Sequence, residues 1–122
     1  GRSNFLAGTL EAHDRVCLAN GDRVTVPSVA DGVVSVGDAV QVSLRPERVM
    51  IDRAGAAPEG HASLEGEVAT VTFLGNSIVY RVALDWMTLE VETDHRPDLD
   101  RHEVGDRVAM WWRDDAIAVV RP

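Results

Sequence analysis

Apolar and polar residues alternate along most of the chain, and one alternating stretch occurs twice. "VGDAVQVSLRPERVMI" at 36–51 returns as "VGDRVAMWWRDDAIAV" at 104–119. In each copy, apolar residues fill every second position after a Gly-Asp turn, and a short polar break precedes a second alternating run. Because period two is typical of a strand with one buried face, each copy is predicted to be a β-hairpin. The predicted buried positions are Val40, Val42, Leu44, Val49 and Ile51 in the first copy, and Val108, Met110, Trp112, Ile117 and Val119 in the second.

The resemblance between the two copies extends upstream, and further strands fill the intervals. "AGTLEA" at 7–12 parallels "EGEVAT" at 65–70. The Asn20-Gly21 pair predicts a hairpin in which both central turn residues have positive φ. Residues 78–84 and 87–91 also alternate, and no segment shows a convincing helical stripe. The pattern therefore predicts an all-β fold of about ten short strands.

The repeat divides the chain into a first half at 1–52, a connector at 53–63 rich in small residues, and a second half at 64–122. Each half is near the lower limit for burying an adequate core alone. Short strands also leave open sheet edges that must be covered. We therefore expect the halves to share strands or to pack face to face, and neither to be stable without the other.

Composition narrows the class of protein. The hydrophobic content of 45% supports a packed core. Twelve arginines, no lysine and 20 acidic residues give a net charge of -8. An acidic surface repels phosphate, and aromatic residues are few, so nucleic-acid binding is disfavoured. No apolar run of ~18 residues is present. The chain starts at Gly1 without a signal-peptide pattern, and we expect it to be a piece of a longer protein.

No catalytic, cofactor or metal site is predicted. A phosphate-binding loop of the form GxxxxGK[ST] requires lysine, and neither GxSxG nor HExxH occurs. The single cysteine, Cys17, allows no internal disulfide, suits a reducing compartment and is expected to be inert within a strand. The acidic segment 94–103 begins with the spacing of a calcium loop, but Leu99 stands where that loop needs glycine and Gly105 where it needs glutamate. A solvated loop is the better interpretation.

Two places carry candidate contact residues. Trp111 and Trp112 are adjacent, so they face opposite sides of a strand; Trp111 is either an interface anchor or covered by a loop of its own half. Arg45 and Glu47 flank a proline, where a local ion pair is the simpler interpretation and a binding contact the alternative.

Several motifs together resemble a known family. They are "GRSNFLAGTL" at the start, "VSLRPERV" in the middle, "FLGNSIVYRV" at 73–82 and "VGDRVAMWW" near the end. In this order and spacing they resemble the C-terminal TOBE region of ABC-importer ATPase subunits, of the spermidine/putrescine type and related importers. The resemblance covers nearly the whole chain. It implies an OB-like or MOP-like small barrel built from two similar halves, on the cytoplasmic side of the bacterial inner membrane. Residues 3–6 resemble the passage out of the nucleotide-binding domain.

The function expected from this resemblance is a regulatory and dimerisation module of an importer's ATP-binding subunit, without catalytic activity or cofactor. The implied partners are a second copy of the subunit, the nucleotide-binding domain upstream in the parent chain and, indirectly, the membrane subunits. The alternative is a small-ligand-sensing module of the same fold. Molybdate-type relatives bind oxyanions in similar barrels, but the net charge of -8 suits a cationic polyamine better. The candidate interface or ligand residues are Asn4, Phe5, Arg45, Glu47, Trp111 and Arg113.

Overall fold

The computed structural model describes residues 2–29, 32–95 and 101–122, which form two five-stranded antiparallel sheets. The first sheet has the strand order β10-β4-β1-β2-β3 and the second β5-β9-β6-β7-β8. The strands are β1 (Asn4–Ala12), β2 (Arg15–Leu18), β3 (Arg23–Thr25), β4 (Ala39–Leu44), β5 (Met50–Arg53), β6 (Ser63–Phe73), β7 (Ser77–Ala83), β8 (Thr88–Asp94), β9 (Arg107–Trp111) and β10 (Ile117–Val120). The prediction of an all-β fold with about ten strands is confirmed. Within the described ranges, no helix is long and apolar enough to cross a membrane.

The two halves exchange their last strands. Strand β5 pairs with β9, so that Ile51 lies opposite Met110. Strand β10 pairs with β4, so that Val119 lies opposite Val42. The prediction of a hairpin within each copy is therefore wrong, because β4 and β5 belong to different sheets, as do β9 and β10. The expectation that the halves share strands is confirmed.

The chain crosses between sheets through two short 3₁₀ turns, Pro46–Arg48 and Asp114–Ala116. A tight hairpin between adjacent strands needs residues with positive φ, usually glycine or asparagine. Neither type occurs at 45–49 or 113–117, and the flanking residues Arg45 and Val49 are extended. The turn therefore redirects the chain to the other sheet instead of reversing it.

The repeated Gly-Asp pair forms the same turn in each half. Gly37 has φ 97°, where glycine is favoured, and its N–H donates to the Leu10 carbonyl at 2.8 Å. The Asp38 carboxylate accepts from the Ser35 N–H at 2.9 Å. The second copy repeats these contacts with Gly105, Val68, Asp106 and Glu103. Each turn thus attaches the strand that follows it to the first strand of its own half.

One hydrophobic core runs through both sheets. Eight of the ten positions predicted to be buried in the repeated stretch are buried, including Val42 and Met110, which have no exposed surface, and Ile51 and Val119 are half-buried. Buried residues of both halves belong to one contiguous cluster. The hairpin at Asn20-Gly21 is also confirmed, but its turn type is not. Only Gly21 has positive φ, and Asn20 instead accepts a hydrogen bond from the Asp22 N–H.

Candidate functional site

The second sheet curls until its two edge strands, β5 and β8, line one groove. The groove has a volume of about 420 Å³ and also receives the first 3₁₀ turn and the outer side of β9. Its lining residues are Glu47, Val49, Met50, Ile51, Asp52, Glu92, Thr93, Asp94 and Trp111. The sequence candidates Glu47 and Trp111 are thereby brought together.

The groove is lined by both carboxyl groups and apolar side chains. Glu47, Asp52, Glu92 and Asp94 supply four carboxyl groups, and none of the described residues that line the groove is basic. Trp111 and the aliphatic residues of β5 supply the apolar surface. Such a surface favours a cation with hydrocarbon segments over an oxyanion, because like charges repel and apolar surface gains by burial.

Trp111 is half-buried in the groove wall. It lies on β9 between Met50 of β5 and Ser63 of β6. Ala109, two residues earlier on the same face, is fully buried. From the sequence, Trp111 was either an interface anchor or a side chain covered by a loop of its own half. In the structure it is neither fully exposed nor fully covered.

Asn4 and Phe5 are adjacent in β1 but serve opposite faces. The Asn4 side chain is buried, and its amide both donates to the Glu90 carbonyl at 2.9 Å and accepts from the Glu90 N–H at 2.8 Å. Phe5 lies on the outer face of the first sheet and is 51% exposed. Asn4 thus holds β8, a strand that lines the groove, whereas Phe5 is not among the lining residues.

The two arginine candidates precede the two 3₁₀ turns. Arg113 pairs with Asp115 at 3.2 Å, with both side chains exposed. Among the described residues, the equivalent Arg45 forms no ion pair with Glu47, which lines the groove instead. The local ion pair considered for the first copy therefore occurs only in the second.

The acidic segment 94–103 is described only in part, because residues 96–100 lie outside the described residues. His95 packs on the Phe73 ring at 5.4 Å, and His102 meets the Tyr80 ring edge-on at 5.6 Å. Among the described residues, no group of three or more His, Cys, Asp or Glu side chains is placed to hold a metal ion. Cys17 is half-buried, on the outer side of β2 opposite Thr9.

A charged cluster lies near the end of β1, the strand that begins at Asn4. The Glu11 carboxylate accepts from Arg23 at 2.9 Å and from Arg15 at 3.1 Å. The Arg23 hydrogen bond, with a smaller contribution from Arg15, holds the pKa of Glu11 below its usual range.

Sequence reasoning missed the β8 side of the groove. Glu92 and Asp94 lie in a clean alternating strand, but their neighbours across the groove come from residues 47–52. No local pattern shows that two strands so far apart in sequence meet at the edges of one curled sheet.

Comparisons with known proteins agree on the fold and the family. Residues 42–120 match the TOBE domain family. The chain is 31% identical, over 99% of its length, to the spermidine/putrescine import ATP-binding protein PotA of Pseudomonas aeruginosa strain UCBPP-PA14, and equally to PotA 2 of strain PAO1. It spans 35% of the length of each of these relatives. Among solved structures, the cytoplasmic molybdate-binding protein ModG, crystallised with molybdate bound, superimposes with a TM-score of 0.82 at 16% identity, covering 100% of this chain and 98% of ModG.

The ModG superposition confirms the predicted OB-like barrel of two repeated halves. The family match covers well over half of the chain and includes the strand exchange at both 3₁₀ turns. This chain belongs to the TOBE domain family.

Proposed function

We propose that the chain is the regulatory and dimerisation module of the ATP-binding subunit of a bacterial ABC importer for a polyamine or related substrate. The observation that carries this proposal is the similarity to two PotA proteins over 99% of the chain. The TOBE family to which it belongs is a non-catalytic module, so ATP hydrolysis resides elsewhere in the subunit.

Such a module acts by contacting other parts of the transporter. The partners would be the second copy of the subunit and the nucleotide-binding domain upstream in the parent chain, with the membrane subunits reached indirectly. The module would lie on the cytoplasmic side of the inner membrane. Its net charge of -8 supports a protein-facing role over a lipid- or nucleic-acid-facing one.

The test is made in the parent subunit, by removing residues 1–122. The remaining part should still bind and hydrolyse ATP, whereas polyamine uptake by the assembled importer should fall. The isolated chain should show no heat of ATP binding in calorimetry. An ATP affinity in the micromolar range for the chain alone would overturn the proposal.

The groove supports the alternative function, sensing of a small ligand. Its four carboxyl groups beside Trp111 suit spermidine, whereas molybdate, the ligand of ModG, carries the wrong charge for it. Titration of the chain with spermidine at low salt should give saturable binding that Glu92→Gln weakens, with Glu59→Gln in the connector as the matched control. Equal weakening by both variants would indicate general charge attraction and not a sensing site.

A further inference from the structure

One broad patch of the first sheet carries no charge. It consists of the outward-facing residues of β4, of β10 and of the part of β1 that pairs with β4, which ends at Thr9, before Glu11. These residues alternate with the buried ones and are exposed or half-buried themselves. We call it the neutral face, and its residues are Phe5, Ala7, Thr9, Ala39, Gln41, Ser43, Ala118 and Val120.

The repeat provides an internal comparison for this patch. The equivalent positions on the second sheet belong to β6, β9 and β5, and four of the eight are charged. These equivalents are Ser63, Glu65, Glu67, Arg107, Ala109, Trp111, Met50 and Asp52. The fold therefore tolerates charge at these positions, and its absence from the first sheet is a property of that surface alone.

From this contrast we infer that the neutral face is the surface through which two copies of the chain associate. The inference rests on the proposed dimerisation function and names its contact surface.

A second copy fits the charge distribution of this face better than a basic partner does. The equivalent surface of the second sheet carries three carboxylates and one arginine, so contact through it would set two net negative surfaces against each other. The neutral face allows two such molecules to meet without that repulsion. A basic partner, in contrast, would be attracted to the acidic surfaces and not to this one.

The shape of the face also suits pairing with itself. A two-fold interface must be self-complementary. The neutral face is mostly small residues, with Phe5 projecting at one end at 51% exposure. Across a two-fold axis, Phe5 of each copy can pack on the small side chains of the other, such as Ala7 and Ala118, as two sheets do when they pack face to face.

The size of the face predicts a weak dimer. Three strands spaced ~4.8 Å apart and about five residues long give a projected footprint of roughly 250 Å². Stable interfaces bury about 800 Å² per partner, so association of the free chain should be in fast exchange. In a longer subunit held in a two-subunit assembly, the high local concentration would favour the contact.

Two measurements over the same dilution series, from about 10 µM to about 1 mM, test the inference. Sedimentation equilibrium gives the association constant, and the NMR chemical shifts of the backbone amides show which residues change on association. Ala7→Glu places on the first sheet the residue type that the equivalent position, Glu65, has on the second sheet. This change should weaken association at least tenfold. Ala118→Arg should weaken it similarly, although it makes the chain less negative. Thr88→Glu, an exposed strand position on the second sheet, adds the same charge as Ala7→Glu and should change association less than twofold. Thermal melts establish that each variant is folded.

Three results separate the inference from the function on which it rests. The inference is supported if the chain associates, if the amide chemical shifts that change belong to the neutral face, and if both face variants lose the association. Association with shifts elsewhere, unaffected by either variant, overturns the face but leaves dimerisation intact. No association up to about 1 mM overturns the inference together with the dimerisation part of the proposed function.

Discussion

The side-chain amide of Asn4 binds the backbone of Glu90 through two hydrogen bonds, 2.9 Å from Nδ2 to the carbonyl oxygen and 2.8 Å from the Glu90 nitrogen to Oδ1. Asn4 begins β1 of the first sheet, and Glu90 lies in β8, an edge strand of the second. The amide therefore takes the place of a neighbouring strand at that edge. Within the described residues, Asn4 is the one buried polar side chain, and both of its polar groups are satisfied.

Replacing Asn4 by alanine should destabilise the protein by about 2–3 kcal/mol, because it removes two hydrogen bonds and leaves the backbone groups of Glu90 without partners in a partly buried place. Urea unfolding of the variant measures the loss. Asn76→Ala, at an exposed turn, should change the unfolding free energy by no more than about 0.5 kcal/mol. Equal effects at both positions would show that the Asn4 contact contributes nothing.

Gly8 and Gly66 hold equivalent places in the two halves, and each is predicted to reject a side chain. A Cβ on Gly8 would lie 2.6 Å from the Cys17 carbonyl oxygen, and one on Gly66 would lie 2.5 Å from that of Ala83. Both obstacles are backbone atoms of the paired strand, so the strands would have to separate. Alanine at either position should cost about 3 kcal/mol or more in thermal unfolding, whereas Ala7→Ser beside Gly8 should cost little. A cost at only one glycine would show that the halves are not equivalent at this point.

The charged cluster around Glu11 predicts a small pH dependence. Since the Arg23 hydrogen bond lowers the pKa of Glu11 in the folded state, the cluster stabilises the fold above the unfolded pKa and loses that contribution as the pH falls through the folded value. NMR titration of the Glu11 side chain should show a pKa below the ordinary 4.5, and Arg23→Gln should raise it. An unchanged Glu11 pKa in Arg23→Gln would contradict the assigned cause.

The alternation of residues predicted which residues are buried, but it could not predict which strands pair. The inward-facing positions of Val42 and Val119 would be the same whether β10 joins β4 or folds back on β9, so both arrangements satisfy the same pattern. The only local indication against a hairpin was the lack of glycine or asparagine between the runs.

Contacts between distant segments were equally hidden from the sequence. Asn4 stood out through its family motif, yet its bond to Glu90 connects residues 86 positions apart. The groove likewise forms because β5 and β8, the two edge strands of the second sheet, come together to line it. The repeated Gly-Asp turn, in contrast, depends on nearby residues, and its position was visible from the start.

Strand exchange predicts that the two halves cannot fold apart. Cleavage within the 53–63 connector should leave β5 in one fragment and its partner β9 in the other, and likewise β4 and β10. Each fragment alone should give a disordered circular dichroism spectrum, and an equimolar mixture should recover the strand signal. A fragment that folds alone would contradict the shared core.

Hydrogen exchange on Val42→Ala tests the central claim, that both halves form one cooperative unit, most directly. Val42 has no exposed surface and lies between Leu6 and Val119, so its truncation should cost about 2 kcal/mol. Thr25→Ala, at an exposed strand position, is the control and should leave exchange unchanged. The account predicts that Val42→Ala lowers protection in both halves, including residues 104–119. Loss of protection confined to residues 36–51 would contradict it.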